Sequence, residues 1–341
     1  MTARNIESLH THTTLSDGKL SHQELFQLAE SLGISVLAFT DHDAVPSPEI
    51  MRGLDTLRDG PTKWIIGTEL TAGLPEELAP ETGTAHIIGL FVDPSNQKLL
   101  DHCARAQQSR VKRMTVIVSN LQNLGFTITT EDCLEASAGD SVGRPHIVEA
   151  LSKHFENNVI MEKIRREMAA DAAHDPLIQE HYTRMMQKDA RQYPYTLLLS
   201  PHAYRKAYAE HTYMPDLDQA VALIRDAGGV AIMAHYFTIR SKISFEVLEQ
   251  LLAGKRLDGV EVVYGFREYN TDGEQTLERE RQALRDLAAK HGAIITGGSD
   301  AHTREDLETY AENGWFSSES VGFTERVLST GKVSKKFSSL E

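Results

Sequence analysis

The sequence predicts an α/β protein built around one sheet, and two observations carry this prediction. Short apolar, β-branched runs have the length of strands, and helix-length segments with helical periodicity separate most of them. We place seven strands at residues 6–10, 36–40, 64–70, 85–92, 229–234, 259–264 and 293–297. Strands that alternate with helices favour a parallel sheet or a barrel.

The segments between the strands carry helix signals. Ser21 is expected to cap a helix over residues 21–32, because Glu24 follows at the spacing of a capping box and Gly33 ends the apolar periodicity. Residues 217–227 and 274–290 show a similar pattern. The last residues, 333–341, are expected to form a frayed tail.

The middle of the chain departs from this alternation. Between about residues 96 and 215 the pattern is helical, with a long helix over 97–124 that Gly125 ends. We therefore predict a metal-binding barrel of residues 1–95 and 216–341, with a helical insertion over 96–215 between the fourth and fifth strands. Residues 152–208 carry nine Lys or Arg against seven Asp or Glu. This local excess favours a cap on the substrate side, and a solvated helical appendage is the alternative.

Composition narrows the class of protein. The 341 residues include 35 Lys and Arg and 49 Asp and Glu, so the formal net charge is −14. This balance disfavours a protein dedicated to duplex DNA or to an anionic membrane, because both need a basic footprint. The two cysteines exclude a disulfide scaffold and a cysteine-rich zinc module. The chain shows neither an apolar leader nor an apolar run of about 18 residues, so we expect a cytoplasmic protein.

Histidines and acidic residues mark the ends of the first predicted strands. His10 and His12 lie two residues apart on an extended segment, so both imidazoles share one face, and Asp17 follows in a turn. Taken alone, Asp17 could be an ordinary turn residue. His42 follows the second strand between two aspartates, which is a poor setting for a core residue and a good one for a metal ligand.

The remaining strands repeat this arrangement. Glu69 ends the third strand and His86 begins the fourth, although each alone is more often structural. His235 directly follows the fifth strand, and Asp300 and His302 follow the last. This is the edge at which α/β proteins bind ligands.

The joint pattern predicts a metal centre, because six of the seven strands carry a His, Asp or Glu at an end. Six imidazoles and three carboxylates suit two or three divalent ions, and a site without sulfur favours Mn²⁺, Fe²⁺ or Zn²⁺. Several such ions together favour hydrolysis of phosphate esters. An amidohydrolase could use the same ligands.

A Gly-Arg-Pro-His motif at residues 143–146 is expected to begin a helix. Pro145 suits the first helical turn, and Arg144 beside the helix N-terminus offers a bidentate fork to a phosphate. Without other evidence, Arg144 could equally be an exposed arginine. Arg110, Lys112 and Arg113 on the preceding helix are expected to be solvated.

These motifs resemble the PHP superfamily, the polymerase and histidinol phosphatase domain. The segments that carry the resemblance are LHTHTTLSDG at 9–18, TDHD at 40–43, GTE at 67–69, AH at 234–235 and SDAH at 299–302. The motif at 143–146 narrows it to the group that includes nucleoside 3′,5′-bisphosphate phosphatases, also known as 5′-to-3′ exoribonucleases. The resemblance implies a distorted (β/α)7 barrel with a trinuclear site at the C-terminal ends of its strands.

The resemblance also implies a role for each candidate residue. One ion would be held by His10, His12, Glu69 and Asp300, a second by Asp17, His42 and His302, and a third by His86 and His235 with Glu69 bridging. Arg144 and His146 match the family motif near the substrate phosphate. The chain departs from the usual family pattern at Ser8, where Asp is common, and at Tyr236, where Pro is common.

We therefore expect a phosphoric ester hydrolase that uses two or three divalent ions (Mn, Fe or Zn) and a metal-bound hydroxide. Its expected substrates are small phosphomonoesters, above all nucleotides such as nucleoside 3′,5′-bisphosphates, with Asp41, Asp43 or His146 as candidates to protonate the leaving oxygen. The alternatives are a nuclease for short RNA and a histidinol-phosphatase-like enzyme. In another class, the chain would be a metal-binding regulatory module. No membrane or duplex-DNA partner is expected, and the oligomeric state is left open.

Overall fold

The computed structural model describes residues 5–75, 77, 83–137, 141–265 and 269–340. The chain divides into two compact units, one of residues 1–106 and 214–341, and one of residues 107–213. The first unit contains the sheet and the second is helical. The division into a barrel of residues 1–95 and 216–341 and an insertion of residues 96–215 remains a prediction.

Seven strands form one sheet in the first unit, and each contains or overlaps a predicted run. They are β1 (Ile6–Ser8), β2 (Ile34–Phe39), β3 (Lys63–Gly73), β4 (Thr84–Leu90), β5 (Val230–Met233), β6 (Gly259–Val263) and β7 (Ile294–Gly297). Their order in the sheet is the order of the sequence. The α/β class is therefore confirmed.

The direction of β4 corrects the expectation of a parallel sheet. β4 runs antiparallel to both β3 and β5, whereas the other neighbouring strands are parallel. Only ten residues, 74–83, separate β3 from β4. A parallel pair needs a crossover of a dozen or more residues, so this short connection favours an antiparallel pair.

The segments after the first and last strands also meet. The backbone N–H of Leu9 donates to the carbonyl of Gly297 over 3.0 Å, and that of Asp300 donates to the carbonyl of His10 over 3.0 Å. Thr11 then forms a parallel bridge with Ala301. These contacts bring the C-terminal ends of β1 and β7 side by side.

The chain forms fifteen α-helices within its described residues. They are α1 (His22–Ser31), α2 (Pro48–Asp55), α3 (Gln97–Asn123), α4 (Thr130–Ser137), α5 (Arg144–Ser152), α6 (Asn157–Ala172), α7 (Pro176–Met186), α8 (Leu217–Asp226), α9 (Tyr236–Ile239), α10 (Phe245–Ala253), α11 (Tyr269–Asp272), α12 (Glu274–His291), α13 (Arg304–Glu312), α14 (Gly314–Ser317) and α15 (Phe323–Ser329). Ser21 caps α1 in a capping box with Glu24, as predicted. Within the described residues no helix is long and apolar enough to cross a bilayer.

Each unit has its own hydrophobic core. In the first, the strands are almost wholly buried, with side chains such as Trp64, Leu37 and Ile232 against helices that include α1, α8 and α12. In the second, Leu121, Phe126 and other apolar side chains of the helices form a separate cluster. Within residues 96–215, for which the sequence predicts helical structure, the described residues form α3 to α7 and a π-helical turn at Tyr195–Leu199.

The expectation of a frayed C-terminal tail is wrong for residues 333–340, and Glu341 lies outside the described residues. A short 3₁₀-helix spans Lys335–Phe337, and Ser338 then pairs with Ile65 on β3. The hydroxyl of Ser339 accepts the backbone N–H of Trp64, and its own N–H donates to the carbonyl of Trp64. The polar composition of this segment suggested a tail, but its backbone extends the hydrogen bonding of a strand.

Candidate metal centre

The structure brings together all nine side chains that the sequence singled out as metal ligands. They come from the segments after β1, β2, β5 and β7 and from β3 and β4 themselves: His10, His12, Asp17, His42, Glu69, His86, His235, Asp300 and His302. The N-terminal part of β4 reaches the site because this strand is antiparallel to β3. The topology therefore explains why His86 lies near the start of its strand and the other ligands lie towards the C-terminal ends of theirs.

Two of these nine residues have unusual backbone conformations. His235 and Asp300 have φ angles of 31° and 50°, in the left-handed region that costs energy for residues other than glycine. Between β7 and Asp300, Gly298 lies against His10 so closely that a Cβ there would be 2.5 Å from the backbone nitrogen of His10. Only glycine allows this approach of the last strand to the first.

The candidate donor atoms form three overlapping groups, and within each group they lie within 4.8 Å of one another. The groups are His10, His12 and Glu69; His12, Asp17, His42 and His302; and His42, Glu69 and His86. Asp300 joins the first group, because its Oδ1 lies 3.0 Å from Nε2 of His12. His235 joins the third, because its Nε2 lies 3.2 Å from Nδ1 of His86.

Glu69 is central to the arrangement. Its Oε1 lies 3.1 Å from Nδ1 of His86 and 3.0 Å from Nε2 of His235. Its Oε2 lies 2.9 Å from Nδ1 of His42. Burial alone would raise the pKa of Glu69, but His42, His86 and His10 around it hold that pKa well below its usual value. The carboxylate is therefore ionised at neutral pH and contacts several imidazoles at once.

Electrostatics favour neutral imidazoles at several positions. Burial, together with His302 and His42, lowers the pKa of His12 to about 4, and burial lowers that of His86 to about 4. The neutral imidazole is the form that binds a metal ion. Burial would raise the pKa of Asp17, but His302 and His42 lower it well below its usual value.

His10 differs from the other imidazoles. Burial would lower its pKa, but the carboxylates of Glu69, Glu261 and Asp300 together raise it well above the usual value. Negative charge is thus concentrated around Nε2 and Nδ1 of this ring. A divalent cation would replace the proton there, because metal binding releases protons from its ligands.

The buried oxygens of the site provide a test of whether metal ions fit. Within the described part of the chain, Oδ1 of Asp17 and Oε2 of Glu69 are buried and accept no hydrogen bond of good geometry. Such atoms are costly to bury without a partner. Carboxylate and imidazole donors without sulfur suit divalent Mn, Fe or Zn. The residues present therefore fit a site for divalent metal ions.

Sequence reasoning missed several residues that support this site. Glu261, in the middle of β6, is fully buried and contacts His10, and the hydroxyl of Tyr264 donates to Oδ2 of Asp300 over 3.1 Å. A single acid within the apolar strand Gly259–Val263 was the available signal. Its function depends on contacts with residues far away in the sequence, so the local pattern alone did not assign it.

Asp41 and Asp43 organise the backbone around the site. Asp41 accepts hydrogen bonds from the backbone and hydroxyl of Thr13, both 2.8 Å, and from the hydroxyl of Ser16 at 2.6 Å. Asp43 accepts the N–H of Thr71 at 3.1 Å. These contacts favour a structural role for both over the proton-donor role that the sequence suggested.

Ser8 and Tyr236, where the chain departs from the family pattern, are both buried. Ser8 lies two residues before His10 in sequence. Its hydroxyl lies 3.0 Å from the hydroxyl of Ser299. The hydroxyl of Tyr236 donates to the carbonyl of Ile243 over 3.1 Å. Ser8 therefore links the end of β1 to the segment after β7, and Tyr236 links the start of α9 to the segment before α10.

The Gly-Arg-Pro-His motif lies in the second compact unit and begins α5, as predicted. Nδ1 of His146 accepts the N–H of Gly143 at 2.9 Å, so this imidazole caps the helix. The guanidinium of Arg144 donates to the carbonyl of Leu199 and lies 5.8 Å from the ring centre of Tyr195.

Arg113 is not solvated, contrary to the expectation. It is 8 % exposed, donates to the carbonyl of Ala209 over 2.7 Å, and lies over the ring of Tyr208. Burial lowers the pKa of Arg113 to about 10, with smaller contributions from Arg144 and Arg110. The charges of Arg113, Arg144 and Arg110 therefore lie close enough to affect one another.

Comparisons with known proteins agree with this geometry. The model of the PHP domain family matches residues 8–244. The chain is 22% identical over 302 residues to the 5′-3′ exoribonuclease Rnm of Salmonella typhimurium, covering 87% of this chain and 85% of that protein. It is 24% identical over 298 residues to the 3′,5′-nucleoside bisphosphate phosphatase of Chromobacterium violaceum, covering 86% of each. A solved structure from Bifidobacterium adolescentis, described as a metal-dependent phosphoesterase, aligns with a TM-score of 0.60 and 26% identity over 87% of each chain.

Proposed function

The chain belongs to the PHP domain family and is a phosphoric ester hydrolase, and from this premise we propose that it removes phosphate from small nucleotides. The proposed substrates are phosphomonoesters, in particular nucleoside 3′,5′-bisphosphates. The observation that carries the proposal is the group of six imidazoles and three carboxylates, of which five are buried and four are partly buried. No cysteine belongs to it, and such a donor set is suited to hydrolysis rather than to electron transfer.

The three overlapping groups support three ion positions. His10, His12, Glu69 and Asp300 would hold the first, Asp17, His42 and His302 the second, and His86 and His235 the third, with Glu69 shared. Divalent Mn, Fe or Zn ions would there supply a hydroxide at neutral pH and neutralise the charge of the phosphoryl oxygens.

The protein's own part in the reaction is to keep the carboxylates ionised and all of the donors fixed. Glu69 stays a carboxylate because the surrounding imidazoles lower its pKa. Nδ1 of His302 hydrogen-bonds the carbonyl of Asp300 over 2.8 Å, which leaves Nε2 of that ring directed towards Asp17 at 3.4 Å. A donor set that is already in place loses little conformational entropy when it binds its ions.

Arg144 is the proposed anchor for the second phosphate of a bisphosphate substrate, and His146 the residue that shapes its helix terminus. Support for this comes from the family motif and from the neighbouring Arg113 and Arg110, whose charges affect one another. A substrate with a phosphate on both ends of its ribose needs a cationic group away from the reacting phosphate. A guanidinium at a helix N-terminus has the required charge and geometry.

The architecture that we propose is a distorted (β/α)7 barrel with a helical cap. The hydrogen bonds between the segments after β1 and β7 support closure of the sheet. The basic excess of residues 152–208 supports a cap on the substrate side. A cytoplasmic location is proposed because Cys103 and Cys133 are buried free thiols.

Cleavage of short RNA from its 5′ end is the second candidate function. The observation that favours it is the similarity to exoribonucleases, which matches that to the bisphosphate phosphatase in extent. Both reactions hydrolyse a phosphate ester next to a second phosphate. In both, the 3′-oxygen of a 5′-nucleotide is the leaving group. The two reactions differ in whether the attacked phosphoryl group is released as inorganic phosphate or stays on the 5′ end of the remaining RNA.

The test uses the full-length protein loaded with Mn²⁺. It is assayed on adenosine 3′,5′-bisphosphate, 3′-AMP, 5′-AMP and a 5′-phosphorylated RNA trimer, with release of phosphate and of mononucleotides measured separately. We expect release of the 3′-phosphate from the bisphosphate. Faster release of mononucleotides from the trimer, without phosphate release, would favour the exoribonuclease, and no turnover of any of the four would contradict both.

A further inference from the structure

Glu261 on β6 carries a fully buried carboxylate that contacts two of the candidate ligands. It does not belong to the three donor groups itself. Oε1 and Oε2 of Glu261 lie 3.3 and 3.4 Å from Nδ1 of His10. Oε2 also accepts the backbone N–H of His235 at 2.8 Å. Both Glu261 and His10 have no exposed surface. The acid is therefore in direct contact with both the segment after β1 and the segment after β5.

The contact with His10 determines which ring nitrogen is available. A carboxylate beside Nδ1 favours the tautomer that carries its proton there, so the lone pair lies on Nε2. Nε2 is the nitrogen that faces the other donors, 3.4 Å from Glu69 and 3.4 Å from Asp300. Glu261 thus orients the ring and fixes its protonation pattern.

The contact with His235 acts on the backbone instead. His235 has a left-handed conformation, with φ at 31°, and its N–H is held by Glu261. Its Nδ1 lies 3.0 Å from the hydroxyl of Thr238, and its Nε2 lies 3.0 Å from Glu69. The strained residue is fixed at both its backbone and its ring, so Nε2 stays directed towards Glu69 and the other candidate ligands.

From these contacts we propose that Glu261 is a positioning residue that holds His10 and His235 in their metal-binding orientations and so couples the first and third ion positions. This rests on the proposed metal centre. In proteins, the acids that orient metal-binding histidines commonly contribute 10- to 100-fold to metal affinity. Because one carboxylate serves both ligands, its loss should weaken two ion positions together.

A matched control is available in the same unit. Glu7 on β1 is also a buried acid, and it accepts hydrogen bonds from the backbone of Gly322 and Thr324 and from the hydroxyl of Thr324. Its partners lie at the start of α15 and are not candidate ligands. Glu7→Gln therefore removes a buried charge of the same type without touching His10 or His235.

The experiment compares wild type, Glu261→Gln, Glu261→Asp and Glu7→Gln as full-length proteins stripped with EDTA. Co²⁺ binding is followed by its visible absorption and by equilibrium dialysis, and stability is followed by urea unfolding in EDTA. Glu261→Gln keeps the shape but loses the charge, so we expect about 10- to 100-fold weaker Co²⁺ affinity at two positions and a changed spectrum. Glu261→Asp keeps the charge but is one methylene shorter, so its affinity should lie between. Glu7→Gln should bind Co²⁺ as wild type does.

Two results would overturn the inference and one would overturn its premise. Wild-type Co²⁺ affinity and spectrum in Glu261→Gln would show that the acid is structural only. An equal loss of Co²⁺ affinity in Glu7→Gln would show that the weaker binding in Glu261→Gln comes from lower stability. If wild type itself bound no Co²⁺, the proposed metal centre would fail, and this inference with it. If Glu261→Gln does not fold in EDTA, Glu261→Asp provides the test. Wild-type Co²⁺ affinity in Glu261→Asp, together with unchanged amide exchange at His235 in that variant, would contradict the proposal.

Discussion

The phenol of Tyr264 donates a hydrogen bond of 3.1 Å to Oδ2 of Asp300, and Oδ1 of the same carboxylate lies 3.0 Å from Nε2 of His12. One oxygen of Asp300 is thus held by the residue that directly follows β6, and the other faces the donor atoms. Because Asp300 has a left-handed backbone, the tyrosine supplies an orientation that the backbone alone does not favour.

Tyr264→Phe should weaken Mn²⁺ binding about tenfold, because a hydrogen bond to a charged group is typically worth about 1.5–3 kcal/mol. Equilibrium dialysis of the stripped protein measures the affinity. The control is Tyr310→Phe, which removes a buried hydroxyl within hydrogen-bond distance of both the carbonyl of Glu7 and the hydroxyl of Ser320. That variant should unfold more easily and bind Mn²⁺ normally. Equal Mn²⁺ affinity in the two variants would argue against an orienting role for Tyr264.

His10→Ala should lower phosphatase activity by orders of magnitude and leave the fold intact. The imidazole is fully buried in the donor group, and the hydrolytic chemistry depends on ligand geometry. Turnover with saturating Mn²⁺ and circular dichroism in EDTA measure the two effects. Near-wild-type turnover at saturating metal would remove His10 from the site.

Gly298→Ala should destabilise the protein by several kcal/mol, because the new methyl would lie 2.5 Å from the backbone nitrogen and Cβ of His10. Gly53→Ala is the control: Gly53 lies inside α2 and a Cβ there meets nothing within 4 Å. That helical substitution should stabilise by about 0.5–1 kcal/mol. Urea unfolding of both variants in EDTA gives the free energies. A neutral Gly298→Ala would show that β7 can move away from His10 at little cost.

Arg144→Lys should weaken the binding of substrates that carry a second phosphate and leave the binding of simple monoesters almost unchanged. A charge-assisted bidentate contact is worth about 1.5–3 kcal/mol, roughly 10- to 150-fold in binding, and an ammonium recovers only part of it. KM for adenosine 3′,5′-bisphosphate should therefore rise, whereas that for p-nitrophenyl phosphate should change little. An equal loss on both substrates would mean that Arg144 binds the reacting phosphate, and no loss on either would indicate a structural arginine.

Asp258 should contribute to acid sensitivity. Burial would raise its pKa, but the hydrogen bonds from Arg225, the N–H of Ala231 and Lys332 lower it below its usual value. A lowered pKa in the folded state adds stability above the unfolded-state pKa near 3.8, and this stability is lost as the pH falls through the folded value.

Asp258→Asn should therefore lower the free energy of unfolding by about 1–2 kcal/mol at pH 7, since it removes charged hydrogen bonds to partly exposed cations. The gap between variant and wild type should narrow as the pH falls below about 4. Urea unfolding at pH 7, 5 and 3.5 measures this gap. A gap that stays constant with pH would show that the charge of Asp258 contributes nothing.

The sequence could predict the features of the fold and of the site that depend on residues close together in the chain. Capping of α1 by Ser21 and the placing of His235 after an apolar strand rest on neighbouring residues, and both are seen in the structure. The direction of β4 depends on pairing with β3 and β5, which no periodicity encodes. The burial of Arg113 was missed because Ala209 and Tyr208, which contact it, lie about a hundred residues away.

The strand β6 shows the same limit within the site. Its sequence, GVEVV, carries one acid, and nothing local distinguishes an edge charge from a buried positioning residue. The distinction comes from His10 and His235, which contact Glu261 although they are distant from it in sequence or lie on another element. Seven of the nine candidate ligands lie in segments that follow strands, and such positions can be recognised from the sequence. Side chains that orient them come from any neighbouring element.

Metal-dependent release of the 3′-phosphate tests the central claim most directly. Wild-type protein is stripped with EDTA, divided, and assayed on adenosine 3′,5′-bisphosphate with and without added Mn²⁺, with phosphate and 5′-AMP measured as products. We predict no turnover in the stripped sample and, after Mn²⁺ is restored, phosphate and 5′-AMP in equal amounts. Full turnover without metal, or none in the Mn²⁺-loaded protein, would contradict the account.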